Sequence, residues 1–413
     1  MAQSDPRRRP TLRRGLITGI AVAIAALAIA VTARLGTLTP GGAAAATHAP
    51  GTAVAASESP TATLVPSATP LGPPAPTPIP LVPAPLTGRL VTAAEARRHP
   101  IAVMVDDHID ARPQAGFNAA SVVWQAPAEG GVPRYMLIFQ DQVPTSVGPI
   151  RSAREYYIEW ASELKAMYVH HGGSPQAKET LAARGNGSWV YNADGFRWEG
   201  RYVFRVTDRF PPHNVMTDGT HLRKLAKKIG AKDGAIEPMW SFAPDAPLEQ
   251  RPTGGTIKVA YPYVTTNAND TITYKYDRLT NTYVRYVNGS SKPQVDLADG
   301  KVVAPKNVVI LRMFFGPLND AHPAKKRLEA ADVGHGQAWI ATNGVTVKGT
   351  WSKASPTAPT LLFGPDGKPI TLTVGQTFVQ VLALGYDYSI KDGSLPAAGT
   401  AAASPGASAS LAP

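Results

Sequence analysis

Cysteine is absent from the 413-residue sequence. Its absence excludes disulfides, thiolate metal sites, cysteine nucleophiles and attachment through a lipid-modified cysteine. Also missing are the G-x-S-x-G elbow, H-E-x-x-H, a phosphate-binding glycine loop and a dinucleotide fingerprint. Acidic residues are the minority charge, 30 against 41 basic ones, for a net charge of +11. No repeat of fixed period occurs. No catalytic class can be assigned from this inventory, and the length allows one or two domains with ordinary cores.

Part of the basic excess is topological. Arg7, Arg8, Arg9, Arg13 and Arg14 precede an uncharged apolar run from Gly15 to Ala33. Such a run is long enough to cross a hydrocarbon core of ~30 Å. The arginines predict that residues 1–14 stay inside, 15–33 form a single transmembrane anchor, and the rest lies outside. Ala43 to Ala46 offers small residues for cleavage, so a removed signal peptide is the alternative; the long run closed by Arg34 favours a retained anchor. An extracytoplasmic chain has no nucleic-acid partner in prospect. Its remaining positive charge suits anionic envelope polymers or lipid head groups.

Residues 36–85 are Pro-, Ala- and Thr-rich and read as a semi-rigid spacer, while 396–413 reads as a disordered tail. Folded sequence is expected from Leu86. The runs Ile101–Val105, Ser121–Ala126 and Arg134–Gln140 predict strands, interleaved with helices up to residue 237. Pro238–Gly255 has no sustained period and marks a boundary. Beyond it, eight short apolar runs separated by turns such as Asn288-Gly289 and Asn343-Gly344 predict a β-rich region over 256–385. The fold class expected is α+β: an N-terminal mixed sheet with packed helices, then a smaller mostly-β domain.

The stretch Gly148–Ala177 organises the first half. Ser152 and Glu155 match a capping box, and Ala153, Tyr156, Tyr157, Trp160, Ala161 and Leu164 form one apolar stripe of a helix over 153–165. Ala166–His170 reads as a buried strand, and Ser174-Pro175 as the start of a second helix. At ~1.5 Å per helical residue and ~3.3 Å per strand residue, helix and strand each cover roughly 20 Å. Packed antiparallel, they return the chain to the edge where the helix began. Arg151, Ser152, Arg154, His170, His171 and the Gly172, Gly173 and Ser174 amides then share that edge, with His213 and Asn214 joining from a proline-fixed turn. Arginine forks and helix starts together suit an anionic ligand; pairing of the arginines with acidic neighbours is the competing reading.

Among chemical groups, Asp106, Glu129 and His171 are the acid–base candidates. Asp106, His108, His170, His171 and His213 could gather a divalent cation, but neighbouring histidines on a strand point to opposite sides, and no metal is expected. No cofactor is indicated.

Several ordered motifs support a family resemblance. Asp106 with Arg112-Pro113-Gln114, Glu129-Gly130-Gly131, Gly148 to Arg154, His171 to Pro175 and Pro212-His213-Asn214 resemble the YerB-like family. So do Gly349-Thr350-Trp351 with Lys353, and Gly375-Gln376-Thr377. The family comprises bacterial extracytoplasmic proteins carrying a domain of unknown function. The resemblance spans roughly Thr92 to Gly385 and implies an α+β domain followed by a smaller β-rich one, but no activity. Two functions follow as expectations. One is a membrane-anchored envelope protein that binds an anionic ligand or polymer at the Arg/His edge. The other is a hydrolase or transferase acting on cell-wall glycan or peptide.

Overall fold

The computed structural model describes residues 79–263 and 269–396. Three apolar runs form the middle of its principal sheet: β1 (Ile101–Asp106), β2 (Val122–Pro127) and β3 (Pro133–Phe139). All six residues of β1 and of β2 are buried, as strands covered on both faces require. β4 (Met167–His170) and β5 (Tyr191–Asp194) extend the sheet on one side. The other side comes from late in the chain: β9 (Asn307–Met313), β10 (Gly334–Thr342), β11 (Val345–Lys353), β12 (Leu361–Phe363) and β13 (Thr377–Ala383). The ten strands run β12-β11-β10-β9-β13-β2-β3-β1-β4-β5. Strands from both sides of Pro238–Gly255 therefore meet inside one sheet, where β13 pairs in parallel with β2.

Alternation along β1 sets the layers. Ile101, Val103 and Val105 face a core shared with a second, four-stranded sheet of β6 (Thr256–Pro262), β7 (Asn269–Asp277), β8 (Thr282–Val287) and β14 (Tyr388–Lys391). Ala102 and Met104 face the opposite core, which holds α1 (Glu155–Ser162). There the Trp160 ring stacks on Trp124 at 4.8 Å, and the Tyr157 hydroxyl accepts from the Ala126 amide at 2.9 Å. α2 (Pro175–Arg184) and α3 (Gly219–Ile229) begin as their sequences suggest, with Ser174 and Asp218 as N-caps. Gly131 lies against the second sheet, where a Cβ would overlap the carbonyl oxygen of Pro262. The Glu129-Gly130-Gly131 motif thus permits a close approach that a side chain would block.

Two corrections follow. Over the described residues the protein is mostly β, 40% strand and 16% helix, rather than α+β. α1 is shorter than expected because backbone pairing takes a residue that the periodicity assigns to it. Ser152 is no N-cap: the Ala153 amide donates to Gly172 O at 2.9 Å and its carbonyl accepts from Ser174 N at 3.3 Å. α1 consequently starts at Glu155, whose side chain bonds Thr180 on α2 instead of closing a capping box. The expected transmembrane helix, Gly15–Ala33, lies outside the described residues. Among the described residues no helix is long and apolar enough to cross a membrane.

Candidate functional site

β1, β4 and β5 are parallel neighbours, so their carboxyl ends share one edge. Asp106, His170 and Asp194 are their last residues. The segment Arg151–Ala153 closes the same edge: Arg151 N donates to Met104 O (2.9 Å), and Arg151 O accepts from His171 N (3.0 Å). The return of the chain inferred from helix and strand lengths is present, made by backbone pairing.

Two carboxylates organise the open part of this edge. Asp106 Oδ2 lies 2.8 Å from Arg151 Nε and 2.6 Å from His213 Nδ1. Burial pushes the Asp106 carboxyl up, but Arg151 and Arg134 outweigh it and hold its pKa below the ordinary value. Glu199 stands in the same relation to a second pair, with Arg205 Nε at 2.6 Å and His171 Nε2 at 2.9 Å. The His171 hydrogen bond and then Arg205 lower its pKa. Asn214 joins the two groups: its Oδ1 accepts from Arg205 Nη1 at 3.0 Å, and it follows His213 directly. Exposed aromatics flank them. Phe196, 62% exposed, packs on His171 with ring centroids 3.9 Å apart, and Phe210 is 88% exposed.

Other residues of the predicted edge serve the interior. Arg154 is 6% exposed and is paired with Glu129 Oε1, while Arg134 takes Glu129 Oε2 at 2.8 Å. Both Glu129 oxygens are occupied, which leaves that residue poorly placed for acid–base work. His170 is buried with both ring nitrogens engaged, by Gly172 O at 2.7 Å and Asn192 Oδ1 at 2.8 Å. The Gly172 amide turns to Asp194 Oδ1 and the Ser174 hydroxyl accepts from Ala177 N. Gly173 pairs with Ala153 in a backbone bridge, and Ser152 O accepts from Arg134. The amides at the start of α2 are thus mainly committed to the fold.

The structure adds residues that sequence spacing does not connect. Arg205 and Glu199 lie outside the stretches whose spacing suggests a site. Beneath the edge, Asp107 is fully buried and bonded by Arg112 (3.0 Å), Gln114 (3.1 Å) and Gln125 (2.6 Å). Burial raises its pKa to about 6, against the opposing pull of Arg112. Arg112 also reaches Asp270 at 2.8 Å, and fully buried Arg285 donates to Gln125 Oε1 (3.0 Å) and the Tyr135 hydroxyl (2.8 Å). This network joins β1 and β2 to the second sheet.

Among the described residues, the site is a charge-paired polar edge on a mostly-β scaffold. Comparison with known proteins gives the family. Residues 86–232 match "Protein of unknown function (DUF3048) N-terminal domain", and 259–379 match the corresponding C-terminal domain. YerB of Bacillus subtilis strain 168, provisionally described as a lipoprotein, is 30% identical over 300 residues, covering 72% of this chain and 86% of the relative. The crystal structure of the B. subtilis YerB protein matches with a TM-score of 0.66 and 29% identity, over 75% of this chain and all of that one. The chain belongs to the YerB-like family.

Proposed function

We propose that this chain is a binding protein of the bacterial cell envelope that engages an anionic group at the Asp106–Glu199 edge. The observation that carries the reading is the doubled arrangement of one carboxylate shared by an arginine and a histidine, with Arg151 and Arg205 keeping solvent access beside two exposed aromatics. Arg151 and Arg205 keep 23% and 35% of their side chains exposed, so an incoming phosphate, sulfate or carboxylate can bond the terminal nitrogens of Arg151 and compete with Glu199 and Asn214 for those of Arg205. Envelope association rests on the relative's description as a lipoprotein. This sequence offers no cysteine, so a cysteine-borne lipid is not available to it.

The test is thermal stabilisation and calorimetric titration with phosphate, sulfate and a glycerol-phosphate polymer. Wild type should be stabilised in a salt-sensitive way, and Arg205→Ala should lose the effect while melting normally without ligand. Equal binding by wild type and Arg205→Ala would refute the assignment. The hydrolase or transferase alternative keeps one support, the imidazole of His213 held by the carboxylate of Asp106, as a general base is held. Release of soluble fragments from purified cell wall, abolished by His213→Ala, would favour it.

A further inference from the structure

Beside the anion-binding edge, the turn after β1 meets a loop from residues 208–214, and the two enclose a cleft of about 500 Å³ lined by Asp110, Arg112, Arg209, Phe210 and His213 among others. We propose that His108, Asp110 and His213 at this cleft bind a divalent transition-metal ion of the zinc type. The inference goes beyond the anion reading and uses none of its arginines as ligands.

The three side chains come from opposite walls. His108 and Asp110 belong to the turn at Ile109–Ala111, where His108 Nδ1 lies 3.4 Å from Asp110 Oδ2. His213 arrives from the far loop, and its ring stacks on that of His108, centroids 4.8 Å apart and planes at 18°. One donor atom from each residue lies within 4.8 Å of the others. Around a tetrahedral zinc ion with bonds of about 2.0–2.2 Å, donors stand roughly 3.4 Å apart. The His108–Asp110 spacing already has that value. The remaining separation closes by side-chain rotation, for which Asp110 and His108 have room at 68% and 40% exposed.

The surroundings fit a ligand role for His213. In the tautomer that places the ring proton on Nδ1, His213 donates to Asp106 Oδ2 at 2.6 Å. Nε2 is then the nitrogen left with a lone pair. A carboxylate behind the far nitrogen fixes the tautomer and raises the basicity of the near one, as in many metal sites. The nearby cations are otherwise engaged. Arg209 donates to Ala111 O and Pro113 O, both at 2.7 Å, Arg112 pairs with Asp107 and Asp270, and Arg151 pairs with Asp106. Two imidazoles and one carboxylate leave a coordination position open toward the cleft, where water or an oxygen ligand fits.

The experiment titrates zinc chloride, and separately cobalt chloride, into the full chain in metal-free buffer, followed by calorimetry and by the visible absorption of cobalt. Stoichiometric one-to-one binding is expected. Asp110→Asn alters an exposed side chain and cannot disturb the core; it should weaken binding at least tenfold. His108→Ala and His213→Ala should abolish the cobalt band, and Asp106→Asn should weaken zinc by about 10–100-fold, as loss of a carboxylate partner does. His322→Ala, at an exposed turn that supplies none of the three ligands, should change nothing. Absence of zinc binding at millimolar concentration, or binding equally strong in Asp110→Asn and His213→Ala, would overturn the proposal.

Discussion

Lys353 and Glu163 form an ion pair with no solvent access, and replacing the cation should produce a stability loss with a definite pH signature. Both side chains are 0% exposed and their charged atoms lie 2.7 Å apart. Lys353 also donates to Ala358 O at 2.7 Å, and Glu163 accepts from the amide and hydroxyl of Thr360 at 3.0 and 2.7 Å. Lys353→Met keeps most of the stem's volume and leaves Glu163 buried without its counter-charge. Breaking a buried pair in this way costs about 3–5 kcal/mol. Burial already raises the pKa of Glu163, against the pull of Lys353 and Thr360, and removing Lys353 raises it further. In the unfolded chain a glutamate titrates near ~4.3. Between that pH and its folded pKa, the native state holds a proton that the unfolded state lacks, so stability falls as pH rises. The Lys353→Met deficit should therefore be largest near pH 8 and shrink toward pH 5. Adding Glu163→Gln should recover most of it, because an amide keeps the Thr360 bonds without the charge. Urea unfolding followed by tryptophan fluorescence, with m-values held in common, measures each step. A loss below about 1 kcal/mol at pH 8, or a deficit that does not change with pH, would refute the sealed-pair reasoning.

Other substitutions separate framework from site. Arg154→Ala should cost about 3 kcal/mol, the lower end for a broken buried pair because Arg134 still holds Glu129, and should leave anion affinity unchanged in the folded fraction. Arg205→Ala, a surface pair, should change chemical-denaturation stability by no more than about 1 kcal/mol. Tyr261→Phe should cost about 1–2 kcal/mol, since the buried hydroxyl lies 3.1 Å from both Gln125 O and Gln380 Oε1; a neutral result by calorimetry would deny that bridge a role. A single protease cut between residues 238 and 255 should leave two pieces that elute together on gel filtration and part only in denaturant, because β2 and β13 pair across the cut.

Local signals in the sequence were legible where chemistry is local. The Ile101 run, the Ser174-Pro175 start and the Asn343-Gly344 turn each appear in the structure, Asn343 and Gly344 both with positive φ. The helix over 153–165 is shorter than its periodicity predicts because the amide and carbonyl of Ala153 pair with Gly172 and Ser174. Tertiary pairing overrode propensity there. At the site, grouping Arg151 with Arg154 followed from their closeness in sequence. Their fates depend on Asp106 and Glu129, whose positions only the sheet sets. The Asp107–Arg112–Asp270 link and the Arg205–Glu199 pair join residues that no spacing rule relates.

One edge of β2 has a history as well as a position. Its partner on that side, Thr377–Ala383, is among the last strands of the chain. A polypeptide that emerges amino end first must hold Val122–Pro127, apolar apart from Gln125, with a row of unpaired amides and carbonyls until almost everything else has appeared. Such an edge invites pairing with a neighbouring nascent copy. For this protein the hazardous interval is set by synthesis or transport and not by the search for the fold, and rapid refolding of the finished chain from urea would coexist with poor yields when chains are crowded during production.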